Sequence, residues 1–243
     1  MKIAYILHGH SRTWRQCHQA FFDNIFSVAP GDIFIHTWDR INSKTGSWWN
    51  GYQFRLDGQL EEISSRTADI DGIKKTYNPK HLIVETDNGA DHWASEIYLK
   101  YGIHIPPPFM ALKNYFYGQH KIFNVAKSFG EYDKYFFTRF DLKFNNKLDV
   151  ESFSVPQVVI PAIDQRTVFD IWKIADTHQS TIMTEFFNNI DEYFYNSVHL
   201  RNKNYNYAIE CAVYDYCLDN KIEFILPSIT PLYDMVRISH DTT

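Results

Sequence analysis

The stretches Ile3-Ala4-Tyr5-Ile6-Leu7 and Asp32-Ile33-Phe34-Ile35-His36 decide the fold. Each is a short run rich in β-branched and aromatic residues and reads as a buried strand. The first run stops at His8-Gly9-His10-Ser11. Between the runs, Trp14, Cys17, Phe21, Ile25 and Phe26 recur at near-helical spacing, so a helix is expected over residues 13–26 with Ser11 as its cap. Pro30-Gly31 supplies the turn into the second strand. Strand, helix and strand joined by short connections open a parallel βαβ unit.

The alternation continues downstream. A helix is expected over residues 67–77, followed by a strand at Leu82-Ile83-Val84-Glu85. Pro106-Pro107-Pro108 primes a long helix over about Phe109 to Phe129, with Leu112, Phe116, Ile122, Phe123 and Ala126 on its buried face. Residues 135–144, Tyr-Phe-Phe-Thr-Arg-Phe-Asp-Leu-Lys-Phe, read as another buried strand. Further strands are expected at Val158–Ile160 and Glu223–Leu226, and helices at Ile182–Phe194 and Tyr207–Leu218. Residues 40–60, with Gly46, Trp48, Trp49, Asn50 and Gly51, read as a long loop of functional or mobile character. Residues 86–105 give no clear assignment. With no internal repeat and no linker, the pattern predicts a single α/β domain over residues 1–243, with a mostly parallel central sheet flanked by helices.

Composition narrows the function classes. Hydrophobic residues make up 44% of 243, enough for a substantial core. The formal net charge of −5 argues against nonspecific nucleic-acid binding. No apolar run approaches the roughly 20 residues that span a bilayer, and the N-terminus lacks the features of a signal peptide. Cys17, Cys211 and Cys217 are odd in number and lack metal-type spacing, so reduced thiols of a cytoplasmic protein are expected.

Several clusters carry possible chemistry. In a strand, Arg139 and Asp141 point the same way, and such a pair at the carboxyl end of a sheet strand suits an anionic, metal-chelating ligand; a structural ion pair is the alternative. In the first turn, Gly9 lets backbone approach a phosphate and Arg12 offers a bidentate partner, although an ordinary turn also accounts for a lone glycine. At the end of the second strand, His36, Thr37 and Trp38 form a possible ligand edge. Trp38 either stacks on a base or sugar or closes the core, and Asp39 either binds a ribose hydroxyl or caps a turn. Asp170 sits among apolar residues, where a raised pKa would suit a general base, or else it is a loop residue. Glu210 either faces the site or lies on the solvated side of its helix. Glu185 and Asp191 read as solvated-face residues, and Arg237 and His240 either close over a diphosphate or belong to a plain tail.

Taken in order, Ile6-Leu7-His8-Gly9-His10-Ser11-Arg12-Thr13, Asp32 to Asp39, Tyr132-Asp133 through Thr138-Arg139-Phe140-Asp141-Leu142, Asp170-Ile171-Trp172 and Glu210 resemble a family of nucleotide-sugar glycosyltransferases of the Rossmann-like GT-A class. Its members occur in bacterial capsule and surface-polysaccharide clusters and in large viruses and phages. The resemblance spans roughly residues 1–226. It implies a single GT-A domain, a nucleotide-sugar donor at the ends of the first strands, and a glycan or other hydroxyl acceptor. It also implies Mn²⁺ or Mg²⁺ at Asp141, the second position of an Asp-x-Asp motif. This chain departs from that motif at Arg139. The residues expected at the donor are Gly9, Arg12, His36, Thr37, Trp38 and Arg139, with Asp170 or Glu210 as base in an inverting reaction. Two other functions stay open: a non-catalytic nucleotide- or sugar-binding module, and a phosphate-ester hydrolase using His8 or His10. For the latter, the Arg-His-Gly order of histidine phosphatases is absent.

Overall fold

The computed structural model describes residues 1–41, 66–86, 96, 98–100, 102, 107–153, 157–164, 167–169, 171–196, 208–226 and 233–235. The chain begins with β1 (Ile3–His8), α1 (Trp14–Phe21) and β2 (Asp32–Trp38), as the apolar periodicity predicts. Ser11 does not cap α1. Its buried hydroxyl makes no hydrogen bond, and Thr13 takes the cap position without a side-chain capping bond to the helix amides. The expected helix also changes form, because Phe22–Phe26 widen into a π-turn that still buries Ile25.

A short antiparallel pair follows, β3 (Arg40–Ile41) with β4 (Arg66–Thr67). The intervening loop lies outside the described residues. Next come α2 (Ile70–Tyr77), β5 (His81–Glu85), α3 (Pro107–Ser128) and β6 (Lys134–Arg139). Asp69 caps α2 by accepting from the Gly72 amide at 3.0 Å.

The strand expected over residues 135–144 breaks at its charged pair. β6 ends at Arg139, Phe140 and Asp141 turn, and β7 (Leu142–Phe144) leaves the sheet to pair with β13 (Tyr233–Met235). The remaining strands are β8 (Val158–Val159), β9 (Ala162–Asp164), β10 (Thr167–Phe169), β11 (Lys173–Ala175) and β12 (Phe224–Ile225). Two helices, α4 (Thr177–Asn196) and α5 (Ala208–Asp219), lie between β11 and β12 in the chain.

Seven strands form one sheet in the order β12-β8-β11-β6-β1-β2-β5. β6, β1, β2 and β5 run parallel. β11 is antiparallel to both its neighbours, and β12 pairs with β8 in parallel. The sheet is therefore mostly parallel, with one reversed strand, and fits a Rossmann-like α/β fold. Tyr5, Leu7, Ile33, Ile35 and Phe136 pack on one face with Trp14, Phe21, Ile73 and Tyr77 of α1 and α2. Ala4, Ile6, Phe34 and Phe137 pack on the other with Ile122, Phe123 and Ala126 of α3. A second cluster joins α4 and α5 through Met183, Phe186, Ala212, Val213 and Tyr216. Among the described residues no helix is long and apolar enough to cross a membrane. Cys17, Cys211 and Cys217 form no disulfide.

Candidate functional site

The chain passes from β1 through α1 to β2 on one side, then returns through α3 to lay β6 on the other side of β1. The order therefore reverses between β1 and β6, and in open α/β sheets ligands bind outside the carboxyl ends of strands at such a point. The register brings His8 level with both His36 and Arg139. Alternation then turns all three toward α3, above the apolar layer of Ile6, Phe34 and Phe137. A polar tier thus sits on an apolar one at the strand ends.

Within that tier the tautomers follow from who can donate. Buried Lys173 donates to Gln119 Oε1 at 2.8 Å. Lysine has no acceptor, so it fixes which end of the Gln119 amide faces it. The amide nitrogen then lies 3.1 Å from His8 Nε2, which must accept. His8 is held as the Nδ1–H form, with the Tyr115 ring 4.4 Å away between centroids. Burial pushes its pKa well below the ordinary value, and the charges of Lys173 and Arg139 push it further.

His36 has the opposite tautomer. Its Nε2 lies 2.7 Å from Glu85 Oε2 and donates to that carboxylate. Its Nδ1 is sealed against α3, where a Cβ added at Gly118 would approach within 2.6 Å. Only glycine at 118 leaves room for the ring. Glu85 also accepts from Lys121 at 2.6 Å and from the Tyr117 hydroxyl at 3.2 Å. Burial raises the Glu85 pKa, but the hydrogen bonds from Lys121 and His36 outweigh it and the net shift is downward. Burial lowers the His36 pKa more than Glu85 raises it.

The expected donor residues gather here to different degrees. Gly9 follows β1 with φ of +103°, a conformation that favours glycine, and the space where a Cβ would stand is open. Its carbonyl accepts from the Thr37 hydroxyl at 3.0 Å, which ties the first two loops together. Arg12 is half-buried in the turn before α1. Trp38 is buried, stacked on Tyr117 and edge-on to His36, so its ring closes the core at this end. His36 likewise faces inward. Asp39 donates its backbone N–H to the Glu85 carbonyl at 2.8 Å.

Arg139 and Asp141 do meet, though through a turn. Nε of Arg139 donates to Asp141 Oδ1 at 2.8 Å, and Nη2 to Oδ2 at 2.5 Å. The guanidinium also lies over the Tyr115 ring, 5.8 Å from its centroid. Arg139 is the more accessible partner, 27% exposed against 15% for Asp141. Asp170 lies outside the described residues. Glu210 is on α5, but its side chain lies outside them too, as do Arg237 and His240. Glu185 on α4 keeps 43% of its side chain exposed, in line with the solvated-face reading. Asp191 differs, because both its oxygens accept from buried Lys113 at 2.7 Å.

The divalent ion that the resemblance implies has a poor fit at Asp141. Both carboxylate oxygens already accept from a guanidinium, and a cation placed there would face a like charge. Among the described residues no group of three or more His, Cys, Asp or Glu side chains is placed to hold a metal ion.

The sequence reading passed over Tyr115, Gly118, Gln119, Glu85, Lys121 and Lys173. One signal was available: Tyr115 and Gln119 are polar-bearing residues at i and i+4 on a helix chosen for its buried face. No family model matches the chain, and no curated protein matches it.

Proposed function

We propose that the protein is a nucleotide-sugar glycosyltransferase of GT-A type, moving a sugar from a nucleoside-diphosphate donor to a hydroxyl of a glycan or polysaccharide acceptor. The observation that carries this reading is the Arg139–Asp141 pair at the end of β6, next to the open Gly9 turn at the strand-order switch.

Breaking a sugar–phosphate bond builds negative charge on the leaving diphosphate. Arg139, fixed by Asp141 on one edge and Tyr115 beneath, is a preorganised donor for that charge. Gly9 lets the backbone approach the phosphates, and Arg12 is a second cation from the same turn. In an inverting reaction Asp170 or Glu210 takes the proton of the acceptor hydroxyl.

The hydrolase reading loses support from the state of His8. Its Nε2 is consumed by Gln119 inside the core, so it offers no nucleophile to a phosphate ester. A non-catalytic binding module draws on the same ion pair, which needs no turnover to hold an anion.

The test is a thermal-shift panel of UDP, GDP, CMP and dTDP, followed by assay of donor-sugar transfer and hydrolysis. Ligand at about 100 times its Kd adds roughly 2.7 kcal/mol to the folded state, a readily measured rise in Tm. Absence of any shift up to millimolar nucleotide would sink the proposal. A shift with neither transfer nor hydrolysis would favour the binding module.

A further inference from the structure

Resting on that donor reading, we infer that Asn24 is a positioning residue for the charged turn: from the π-turn that closes α1 it pins the far end of β7, and so sets where Arg139 and Asp141 stand against the donor.

The π-turn supplies the means. In a regular α-helix the Asn24 carbonyl would accept from the amide of residue 28, and in a π-helix from that of residue 29. Here the Val28 and Ala29 amides both donate to the Ile25 carbonyl, at 3.2 and 3.3 Å. The Asn24 carbonyl is released from the helix and accepts from the Leu148 amide at 2.8 Å. Its side chain works beside it, with Nδ2 donating to the Phe144 carbonyl at 2.7 Å. One residue therefore grips both ends of the segment 144–148. Widened turns of this kind recur at functional sites, where they turn a backbone group outward at a cost in helix regularity.

The gripped segment leads to the site. Phe144 closes β7 and Leu142 opens it, one residue after Asp141. β7 pairs with β13 and stands outside the seven-stranded sheet, so the main ladder does not hold it. Asn145 donates to Asp234 of β13 at 3.0 Å, which makes the ribbon one piece. Three residues span only about 10 Å in a strand, so a shift at Phe144 passes to the turn at Phe140 and Asp141. Arg139 and Asp141 keep all their partners in this account, and what Asn24 governs is where the pair stands.

A merely structural clamp would cost stability and leave ligand affinity alone. A positioning clamp is linked to the ligand, and linkage runs both ways. Nucleotide at the switch point should then hold the clamp shut by the same factor that the clamp lends to nucleotide affinity.

The experiment titrates the full chain by calorimetry with UDP, GDP, CMP and dTDP, with and without Mg²⁺, and repeats the titration for two variants that circular dichroism shows to be folded. Asn24→Ala removes the bond to Phe144 and should weaken the bound nucleotide about two- to fivefold, up to the worth of one neutral hydrogen bond. Gln19→Ala removes a bond of the same type on the same helix, to Asp23 at 2.9 Å, and should leave the affinity unchanged. In the native chain, saturating nucleotide should slow hydrogen exchange at the Leu148 amide by a similar factor. Native affinity in Asn24→Ala, equal weakening in Gln19→Ala, or exchange at Leu148 indifferent to nucleotide each overturns the inference and leaves the donor reading standing. No binding of any nucleotide to the native chain overturns both. If Asn24→Ala fails to fold, exchange at Leu148 in the native chain decides.

Discussion

Lowering the pH from about 7 to about 5.5 will destabilise this protein through two buried histidines. His8 and His36 are both sealed in the interior, and both have pKa values held below the ordinary 6.5, first by burial. A group with a depressed folded pKa contributes stability that is present above its unfolded pKa and lost as pH falls toward the folded one. Here the loss begins near 6.5, where the unfolded chain starts to take up protons that the native one refuses. For a histidine that stays neutral when folded, as the deep depression at His8 implies, the loss over this interval is about 1.2 kcal/mol, and His36 adds to it in the same direction. With a urea slope of about 2–3 kcal/mol per molar, His8 alone should move the midpoint down by about 0.5 M.

The assay is urea unfolding at both pH values, for the native chain and for His8→Gln. Glutamine at position 8 has an oxygen to accept the Gln119 amide but nothing to titrate in this range. The variant should therefore lose about 1.2 kcal/mol less stability than the native chain on acidification. A native chain with a flat response, or a variant that falls as steeply, would refute the neutral, tautomer-locked His8.

Two further outcomes follow from packing. Gly118→Ala puts a Cβ 2.6 Å from His36 Nδ1 and 3.0 Å from its Cε1. Overpacking of this kind costs about 1–3 kcal/mol, against about 1 kcal/mol gained in helix preference. Net destabilisation is expected in urea, and a more stable variant would show that His36 is not held as described. Lys134, at the opposite end of the sheet, donates to the carbonyls of Val150 at 3.0 Å and Glu151 at 2.8 Å, and to that of Phe153. Lys134→Met should cost about 2–4 kcal/mol by leaving those acceptors unmet; an unchanged Tm would rule out that structural role.

Much of the fold is visible along the chain because its signals are local. The apolar runs at Ile3–Leu7 and Asp32–His36 are strands, and the prolines before Phe109 do open a long helix, at Pro107. β11 is different. It has three residues with a lysine at its start, and no periodicity in so short a run separates strand from loop. Its place between β6 and β8 comes from pairing with remote strands. Arg139 and Asp141 were visible as a pair, but the turn at Phe140 that brings them into two-bond contact was not.

By itself the amino-acid sequence determined the alternation of strands and helices, the sites of the opening turns and the presence of a charged pair near residue 140. These depend on spacings of two to four residues, which the backbone reads locally. The tertiary structure alone decided which way each polar side chain is used. His8 and His36 are the same residue type at level positions of adjacent strands, yet they hold opposite tautomers. Their partners, Gln119 and Glu85, arrive from distant segments, and the protonation of a buried group answers to its neighbours in space and to its loss of solvent.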